Sequence, residues 1–313
     1  MAVQIRPLEE RDLGEADRIF RVAFGTFLRV PDPSTTFGDA DFARTRFAAA
    51  PDSAFAAELD GKFVGSNFLA RWGSFGFFGP LTVEPALWEQ KIAQRLLERT
   101  MEQFDLWRCR HTGLFTFSHS PKHIALYQKF GYWAGALTPV MSKPPGLTSD
   151  RPRYKLLSEL GAGEKEQAIE DCRALTGSIF EGLDLAIEIR SVDAQKLGDT
   201  VLLYDGSQLR AFAICHVGRG TEAGSGTCYV KFGAARPGAA ASEDFERLLD
   251  ACEAYAGQRQ AKRLSLGVNM ARHGAYAALV GRKFRTDLVG VAMQKANAPG
   301  FNRPDVYVLD DWR

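Results

Sequence analysis

The spacing of hydrophobic residues along this chain is typical of helices in some stretches and of strands in others. The same succession of predicted helices and strands occurs in each half of the chain. In the first half, a helix that buries one face is predicted where apolar residues recur at intervals of three and four, at Ala16, Ile19, Phe20 and Ala23. The sequence SAFAAELDGKFVG then predicts a β-hairpin, because the pair Asp60-Gly61 between two apolar runs favours a two-residue turn. A further strand and a long amphipathic helix follow.

The second half repeats this order. Its first helix is indicated by apolar residues at the same spacing, at Ala168, Ile169, Cys172 and Leu175. The hairpin TVLLYDGSQLRAF turns at Asp205-Gly206, and a long amphipathic helix lies beyond it in each half. Short strands are predicted at residues 114–117 and 264–268, each followed by another helix. Such a repeat predicts two domains of the same fold.

The stretch SKPPGLTSDRPR separates the two copies. Its prolines and glycine break regular structure, so we predict domains at residues 1–144 and 145–313. A length of 313 residues also favours two domains over one core. Each domain is expected to have an α/β fold: a mixed sheet with an antiparallel front part, a parallel strand pair joined by the long helix, and helices on both faces.

Charge and composition narrow the classes of function. The 39 Lys and Arg residues nearly balance the 38 Asp and Glu residues, so no overall field favours nucleic acid or an anionic membrane as a partner. No apolar run reaches the length of a membrane span, and MAVQIRPLEERD lacks the apolar core of a signal peptide. We therefore expect a cytoplasmic protein that binds any anion through a local site.

Cysteine and histidine positions argue against a metal site or a disulfide framework. The five cysteines are scattered and odd in number, and no pair has the spacing of zinc ligands. The five histidines form no HExxH cluster, and the nearest pair, His119 and His123, has no carboxylate beside it. No metal is expected.

The segment FGPLTVEPALWEQKIAQRLLERTMEQF, residues 78–104, resembles the acyl-CoA-binding motif of the GNAT superfamily of acetyltransferases: a strand, V-x-P and a loop that opens a helix. Free backbone N–H groups at such a helix start bind pyrophosphate. Trp88 stands where the family has Gln or Arg, and Lys91 stands where it has Gly. The resemblance implies that acetyl-CoA is held by Leu81, Thr82, Val83, Trp88, Glu89, Gln90, Lys91, Ile92 and Ala93.

The segment TFSHSPKHIALYQKFGYW, residues 116–133, is similar to a second signature of the same family, which walls the other side of the CoA cleft. Tyr127, Gly131 and Tyr132 match its tyrosine, glycine and final aromatic residue. Ser120 matches the Asn that usually contacts the cofactor. The two motifs in this order imply one acetyl-CoA site in the first half.

The resemblance also implies a mechanism. A neutral amine attacks the thioester, a backbone N–H near Leu81 or Thr82 polarises the carbonyl, and the Tyr127 hydroxyl protonates the departing thiolate. The general base stays open between His119, Glu84 and a water molecule. A strand is expected from Trp72 to Val83, and its three glycines, including Gly79, suggest a bulge. By the resemblance, such a bulge separates the strands for the pantetheine arm.

The second half keeps the fold pattern and loses the chemistry. Leu279 stands where Tyr127 stands in the first half, and Lys283 stands where Gly131 stands. We expect a partner domain that is structural or shapes the acceptor site. The alternating apolar residues of segment 304–312 predict a final strand that ties the domains together.

The sequence therefore predicts an N-acetyltransferase that moves an acetyl group from acetyl-CoA to a primary amine of a small molecule or peptide. The alternative is a catalytically silent acyl-CoA sensor or interaction protein. The degenerate loop at Trp88–Lys91 and the lack of an evident base favour that alternative.

Overall fold

The fold was analysed in a computed structural model that describes residues 3–146 and 152–313, called here the first and second halves. Residues 147–151, which belong to the predicted linker, lie outside the described residues. The elements of the first half are β1 (Val3–Pro7), α1 (Leu13–Leu28), α2 (Phe42–Ala49), β2 (Ala54–Leu59), β3 (Lys62–Trp72), β4 (Phe75–Val83), α3 (Ile92–Leu106), β5 (His111–Phe117), α4 (Pro121–Gln128) and β6 (Tyr132–Lys143).

The second half contains the same order of elements and one additional strand. They are β7 (Lys155–Leu156), α5 (Ala162–Ile179), α6 (Ala186–Gln195), β8 (Gly198–Asp205), β9 (Gln208–Gly218), β10 (Gly224–Ala235), α7 (Ala241–Gln258), β11 (Arg263–Gly267), α8 (His273–Gly281), β12 (Arg285–Lys295) and β13 (Val308–Leu309). The recurrence predicted from the sequence is thus present in the order of strands and helices.

One continuous mixed sheet joins the two halves. Its strands lie in the order β1-β2-β3-β4-β5-β12-β6-β11-β10-β9-β8-β7, and β13 pairs with β10. The last strand of each repeat lies beside the other repeat, because β12 pairs with β5 and β6 pairs with β11. The boundary at residues 144 and 145 stays a prediction, but a cut there would leave neither half with a complete sheet.

Both predicted hairpins are confirmed. β2 and β3 pair antiparallel across Asp60 and Gly61, which both have left-handed torsions, with φ of 51° and 77°. Such torsions match the twist of a two-residue hairpin turn. β8 and β9 pair in the same way across the turn that contains Gly206. The parallel pairs joined by a helix are β4 with β5 and β10 with β11.

Two predicted strands differ from the structure. The strand expected from Trp72 to Val83 is interrupted, because the chain turns at Gly73 and β4 begins only at Phe75. Gly73 has a φ of 63°, and a Cβ atom there would lie 2.1 Å from the carbonyl oxygen of Gly182. In segment 304–312, only Val308–Leu309 is a strand. The alternating apolar residues of this segment reflect burial in a shared core rather than a long ladder.

The sheet has a hydrophobic core on each face. In β4, Phe78 belongs to a cluster with residues of α3 and α4, whereas its neighbour Phe77 belongs to a cluster with residues of α5 and α6. Successive strand residues point to opposite faces, so helices cover both faces as predicted. The second cluster contains Trp72 from the first half and Phe232 from the second, with ring centroids 5.4 Å apart. This shared core joins the halves.

All five cysteines carry free thiols. Across residues 3–146 and 152–313, no helix combines the length and the apolar character needed to cross a bilayer.

Candidate active site

The strands β4 and β5 separate halfway along their length. They pair in parallel from Phe75 to Phe78 on β4 and from His111 to Leu114 on β5. Beyond these residues β4 continues to Val83 paired with β3, after a bulge that contains the cis peptide bond between Gly79 and Pro80. The edge of β4 from Leu81 to Val83 therefore faces β5 without a ladder, and we call it the open edge. Its backbone groups are available to a ligand that lies between the strands.

The loop after the open edge forms the start of α3. Residues Pro85–Leu87 make a 3-10 turn, and the Trp88 indole N–H donates to the Val83 carbonyl at 2.8 Å, which closes the loop on the strand. Glu89 and Lys91 have left-handed torsions, with φ of 70° and 62°. Lys91 thus adopts the conformation for which glycine is favoured at this position.

The first turn of α3 offers free amides. The first helical hydrogen bond runs from the Arg95 amide to the Lys91 carbonyl, so the amides of Ile92, Ala93 and Gln94 precede any helical partner. No side chain caps this helix end, and its first turn contains no acidic residue. The helix dipole and these amides together favour an anion.

Helix α4 forms the other wall. Ser120 caps this helix, and its Oγ accepts from the His123 amide at 3.4 Å. Tyr127, the penultimate residue of α4, is buried, and its ring lies 5.8 Å from that of Phe78. Burial raises the pKa of Tyr127 above its usual value, and a hydrogen bond with Thr116 acts in the opposite direction. The phenol is therefore protonated at neutral pH.

Neither side chain proposed as a base lies at the wall of the cavity. His119 is exposed, and its ring packs 5.7 Å from the ring of Phe27. Glu84 forms an ion pair with Arg18 at 2.5 Å. His123 does line the cavity, and burial, with the charges of Lys122 and His119, lowers its pKa. His119 as a base stays a prediction.

A cavity of about 1170 Å³ connects these features with the second half. The open edge, the loop before α3 and the inner face of α4 form its cofactor end. Ten of the predicted site residues line it: Leu81, Thr82, Val83, Trp88, Glu89, Lys91, Ile92, Ala93, Ser120 and Tyr127. Gln90 and His119 are not among the lining residues. The geometry brings the two predicted motifs together around one space, and the roles of their residues stay predictions.

Aromatic residues and the second half form the other end of the cavity, called here the acceptor end. The rings of Phe24, Phe37 and Phe42 surround Phe20, with centroids 4.9 to 5.2 Å from it. Phe37 is 41% exposed and has a left-handed φ of 65°, which is unusual for a bulky residue. Second-half residues that line the cavity are Glu222, Ala223, Gly224, Ser225, Thr227, Tyr229, Arg263, Ser265, Leu288, Trp312 and Arg313.

A buried charge cluster joins the acceptor end to the bulge of β4. The Arg46 guanidinium binds both oxygens of Glu222, at 3.0 and 2.9 Å, and also donates to the carbonyl of Gly79. The Lys231 ammonium lies 2.8 Å from Glu222 and 2.7 Å from Glu188. Burial alone would raise the pKa of Glu222, but the charges of Arg46 and Lys231 hold it well below the usual range. Glu222 is therefore a buried anion rather than a base.

His216 lies within the same cluster. It is fully buried, and neither ring nitrogen has a hydrogen-bond partner among the described residues. Burial, aided by the charge of Lys231, lowers its pKa to about 4. Sequence reasoning missed this cluster, since Arg46 lies far along the chain from His216 and Glu222. No local motif marks them, and only the contact between the halves brings them together.

The chain resembles acetyltransferases in sequence and in fold. Residues 20–132 match the sequence model of the Acetyltransferase (GNAT) family. A search of curated proteins finds no match. Among solved structures, a candidate acetyltransferase from Pyrococcus horikoshii superposes with a TM-score of 0.71 at 13% identity, over 97% of this chain and 93% of that chain.

Two further solved structures, both of GCN5-related N-acetyltransferases, are similar over most of this chain. The protein from Sphaerobacter thermophilus has a TM-score of 0.61 at 13% identity, over 94% of this chain and 95% of that chain. The protein from Anabaena variabilis has a TM-score of 0.55 at 12% identity, over 94% of this chain and 72% of that chain. These identities show the fold alone, and the fold extends over both halves. The predicted mixed α/β class is confirmed.

Proposed function

Because residues 20–132 belong to the GNAT acetyltransferase family, we propose that this protein is an N-acetyltransferase. It transfers an acetyl group from acetyl-CoA to a primary amine of a small molecule or peptide, within a ternary complex. One observation carries the proposal: the open edge, the uncapped start of α3 and Tyr127 all line a single cavity.

The cofactor end suits acetyl-CoA. The pyrophosphate binds backbone amides within residues 88–93, where Glu89 and Lys91 have left-handed torsions and the amides of Ile92 and Ala93 precede any helical partner. The pantetheine arm lies along the open edge and hydrogen-bonds with its backbone. Lys91, Lys122 and Lys129 line the same end and add positive charge near the phosphates.

The reaction conserves atoms and charge. The amine nitrogen attacks the thioester carbonyl carbon, and a backbone N–H of the open edge stabilises the oxyanion. The C–S bond then breaks, and the sulfur takes a proton from the Tyr127 hydroxyl. Burial opposes the thiolate as well as the phenolate, so the transfer exchanges one buried anion for another. The phenolate recovers its proton from the new ammonium through water.

The amine enters in its neutral form. Glu222 is paired with two cations, and His119 is exposed away from the cavity wall. The amine therefore loses its proton to bulk water before it binds, and turnover is limited by the neutral fraction of the amine. The second half shapes the acceptor end, and Leu279, which stands at the position of Tyr127, has no proton to donate. A cytoplasmic location is part of this proposal.

The test is the release of free coenzyme A from acetyl-CoA in the presence of tyramine, spermidine, lysine or a peptide with an N-terminal alanine. The proposal expects release that depends on one of these amines, together with an acetylated product identified by mass. The alternative function, a silent sensor, predicts saturable binding of acetyl-CoA with the same slow release whether or not an amine is present.

A further inference from the structure

The second half has its own counterpart of the open edge. β10 and β11 pair in parallel from Thr227 to Val230 and from Arg263 to Leu266, as β4 and β5 do over four residue pairs. A register shift follows on β10 between Val230 and Phe232, at the place of the bulge in β4. The residues that correspond to Leu81–Val83 are therefore Gly233–Ala235, which lie three to five positions beyond the last parallel pair in each strand.

This counterpart is occupied by the chain itself. Leu309 pairs with Gly233, Val308 pairs with Ala234, and the Ala235 amide donates to the Tyr307 carbonyl at 3.0 Å. Val308 and Leu309 are both completely buried. In the first half, the same edge is left free for the pantetheine arm. We call residues Tyr307–Arg313 the closing segment.

A buried arginine holds the closing segment in place. Arg272 precedes α8 as Ser120 precedes α4, and its side chain is fully buried. Its guanidinium donates to the Val308 carbonyl at 3.0 Å, to Asn302 at 2.6 Å and to Asp310 at 3.1 Å. The position at which the resemblance predicts a cofactor contact in the first half contacts the closing segment in the second.

The phosphate end of this counterpart is also altered. The connection from Val83 to Ile92 advances nine residues, whereas that from Ala235 to Ala241 advances six, so the loop that exposes amides is shorter. The first turn of α7 contains Glu243 and Asp244, and acidic side chains at a helix start occupy the place of an anion. The shorter loop and the acidic first turn disfavour a bound phosphate, and the filled cleft leaves no room for a pantetheine arm.

Beyond Leu309 the closing segment reaches the first half. Trp312 packs against β5 so closely that a Cβ atom on Gly113 would lie 2.7 Å from its ring. The Arg313 guanidinium lies 4.3 Å above the ring of Tyr229, and Arg46 donates to the Arg313 carbonyl. Trp312 and Arg313 both line the acceptor end.

We propose that the second half binds the closing segment as a built-in ligand in place of acyl-CoA, and thereby fixes Trp312 and Arg313 as a wall of the first half's acceptor site. The chain then binds one acyl-CoA, and Trp312 is a positioning residue for the acceptor. The acceptor role rests on the proposed function. The occupancy of the second cleft does not, so the two can fail separately.

Occupancy is tested on the full chain by calorimetric titration with coenzyme A and by hydrogen exchange with and without it. We expect one coenzyme A per chain, with the amides of residues 307–309 strongly protected and equally so in both states. Two sites per chain, or faster exchange of residues 307–309 when coenzyme A is added, would overturn the proposal, because coenzyme A would then displace the segment. These measurements need no turnover.

The acceptor role is tested by adding a Cβ atom to Gly113 on β5, next to the Trp312 ring. Gly113→Ala should displace the Trp312 ring from its packed position. The KM for the active amine of the panel should then rise at least fivefold, while the KM for acetyl-CoA changes less than twofold. Trp312→Leu removes the ring, so in the double variant Gly113→Ala should have no further effect on the amine KM.

Arg272→Ala is a second test of both the occupancy of the cleft and the acceptor role, and Arg282→Ala is its matched control. Arg282 binds Glu246, Asp250 and Glu253 on α7 and has no contact with the closing segment among its hydrogen bonds. Arg272→Ala should speed exchange of residues 307–309 and raise the amine KM, whereas Arg282→Ala should do neither. Should Arg272→Ala fail to fold, the Gly113 and Trp312 variants decide. An amine KM unchanged in Gly113→Ala and in Trp312→Leu contradicts the acceptor role.

Discussion

The two halves of this protein contain corresponding strand edges, which are open in the first half and paired with protein in the second. In the first half, Leu81–Val83 of β4 faces an open space, and the first turn of α3 has no acidic residue. In the second half, Gly233–Ala235 of β10 is paired with Tyr307–Leu309, and α7 starts with acidic residues. The strands, helices and bulge are common to both. Under the proposals above, the closing segment makes in the second half the backbone contacts that the pantetheine arm makes in the first.

The difference is concentrated in few residues. Tyr127 lines the cavity, whereas Leu279 in the same position is completely buried in the core with α7. Under the proposed mechanism, a polar donor stands where there is a leaving group to protonate. An apolar side chain replaces it where the neighbouring space is filled by protein. The predictions below test this contrast, beginning with the largest expected effect.

Tyr127→Phe should have the largest effect. If the hydroxyl protonates the departing thiolate, turnover should fall by about 10² to 10⁴, since that is the usual contribution of a positioned acid. Acetyl-CoA affinity should change little because the ring is kept. Steady-state rates with the active amine, together with calorimetry for the cofactor, measure both effects.

Tyr132→Phe is the matched control for that variant. Tyr132 is another buried tyrosine of the first half, and its hydroxyl hydrogen-bonds with Thr112 at 3.0 Å instead of lining the cavity. Its loss should cost about 1 kcal/mol of stability and leave the rate within a few-fold. Equal rates for the two variants would remove Tyr127 from the mechanism.

Leu309→Ala should mainly affect stability. Leu309 is completely buried in the second cleft, and truncating such a leucine costs about 2–5 kcal/mol of unfolding free energy. Removing segment 304–312 should lower the melting temperature further. Leu137→Ala, at a position 45% exposed, should cost well under 1 kcal/mol. Denaturant titrations of both variants measure the difference, and similar losses would mean that the closing segment is not a core element.

His216 should make the second half sensitive to acid. Burial lowers its folded pKa to about 4, whereas the unfolded side chain titrates near 6.5. Between these values the unfolded chain binds more protons, so stability falls as the pH falls through this window. One such group accounts for about 3 kcal/mol between pH 6.5 and pH 4.

His216→Phe should remove that part of the pH dependence, measured by denaturant unfolding at pH 6.5 and at pH 4.5. His273→Gln, at an exposed histidine of the same half, should leave the dependence as in the unmodified protein. If His216→Phe loses as much unfolding free energy between pH 6.5 and pH 4.5 as the unmodified protein, His216 is not the source of the pH dependence.

The smallest effect is expected at Lys91. Its left-handed torsions are strained for a residue with a Cβ atom, so Lys91→Gly should change stability by about 1 kcal/mol or less, in the stabilising direction. Cofactor affinity should stay within a few-fold, because backbone amides bind the pyrophosphate. Lys91→Ala keeps the Cβ and removes the charge. If both variants lose tenfold in affinity, the ammonium rather than the backbone holds the phosphates.

Much of the fold was predictable from local patterns. The amphipathic spacing of α1 and α5, the Asp-Gly turns and the repeated order follow from periodicity and turn chemistry, which act over a few residues. The loop at Trp88–Lys91 was recognisable from the V-x-P motif before it, and the structure shows that Lys91 keeps the left-handed conformation usual for glycine.

Contacts between distant residues were not predictable. The exchange of β6 and β12 between the halves depends on sheet pairing, for which the sequence has no local signal. The pairing of Arg46 with Glu222 depends on the same packing. Segment 304–312 was predicted as a strand from its alternation, but alternation does not reveal that it fills a cleft. The contrast between Tyr127 and Leu279 was visible in the sequence, whereas the filled second cleft that accompanies it was not.

The most direct test of the central claim is a crystal structure with acetyl-CoA. The account predicts electron density for one molecule per chain, with its pyrophosphate at the amides of residues 88–93 and its pantetheine arm between β4 and β5. The thioester sulfur should lie within hydrogen-bonding reach of the Tyr127 hydroxyl, and Tyr307–Leu309 should stay paired with β10. Density for acetyl-CoA between β10 and β11, with the closing segment displaced, would contradict the account.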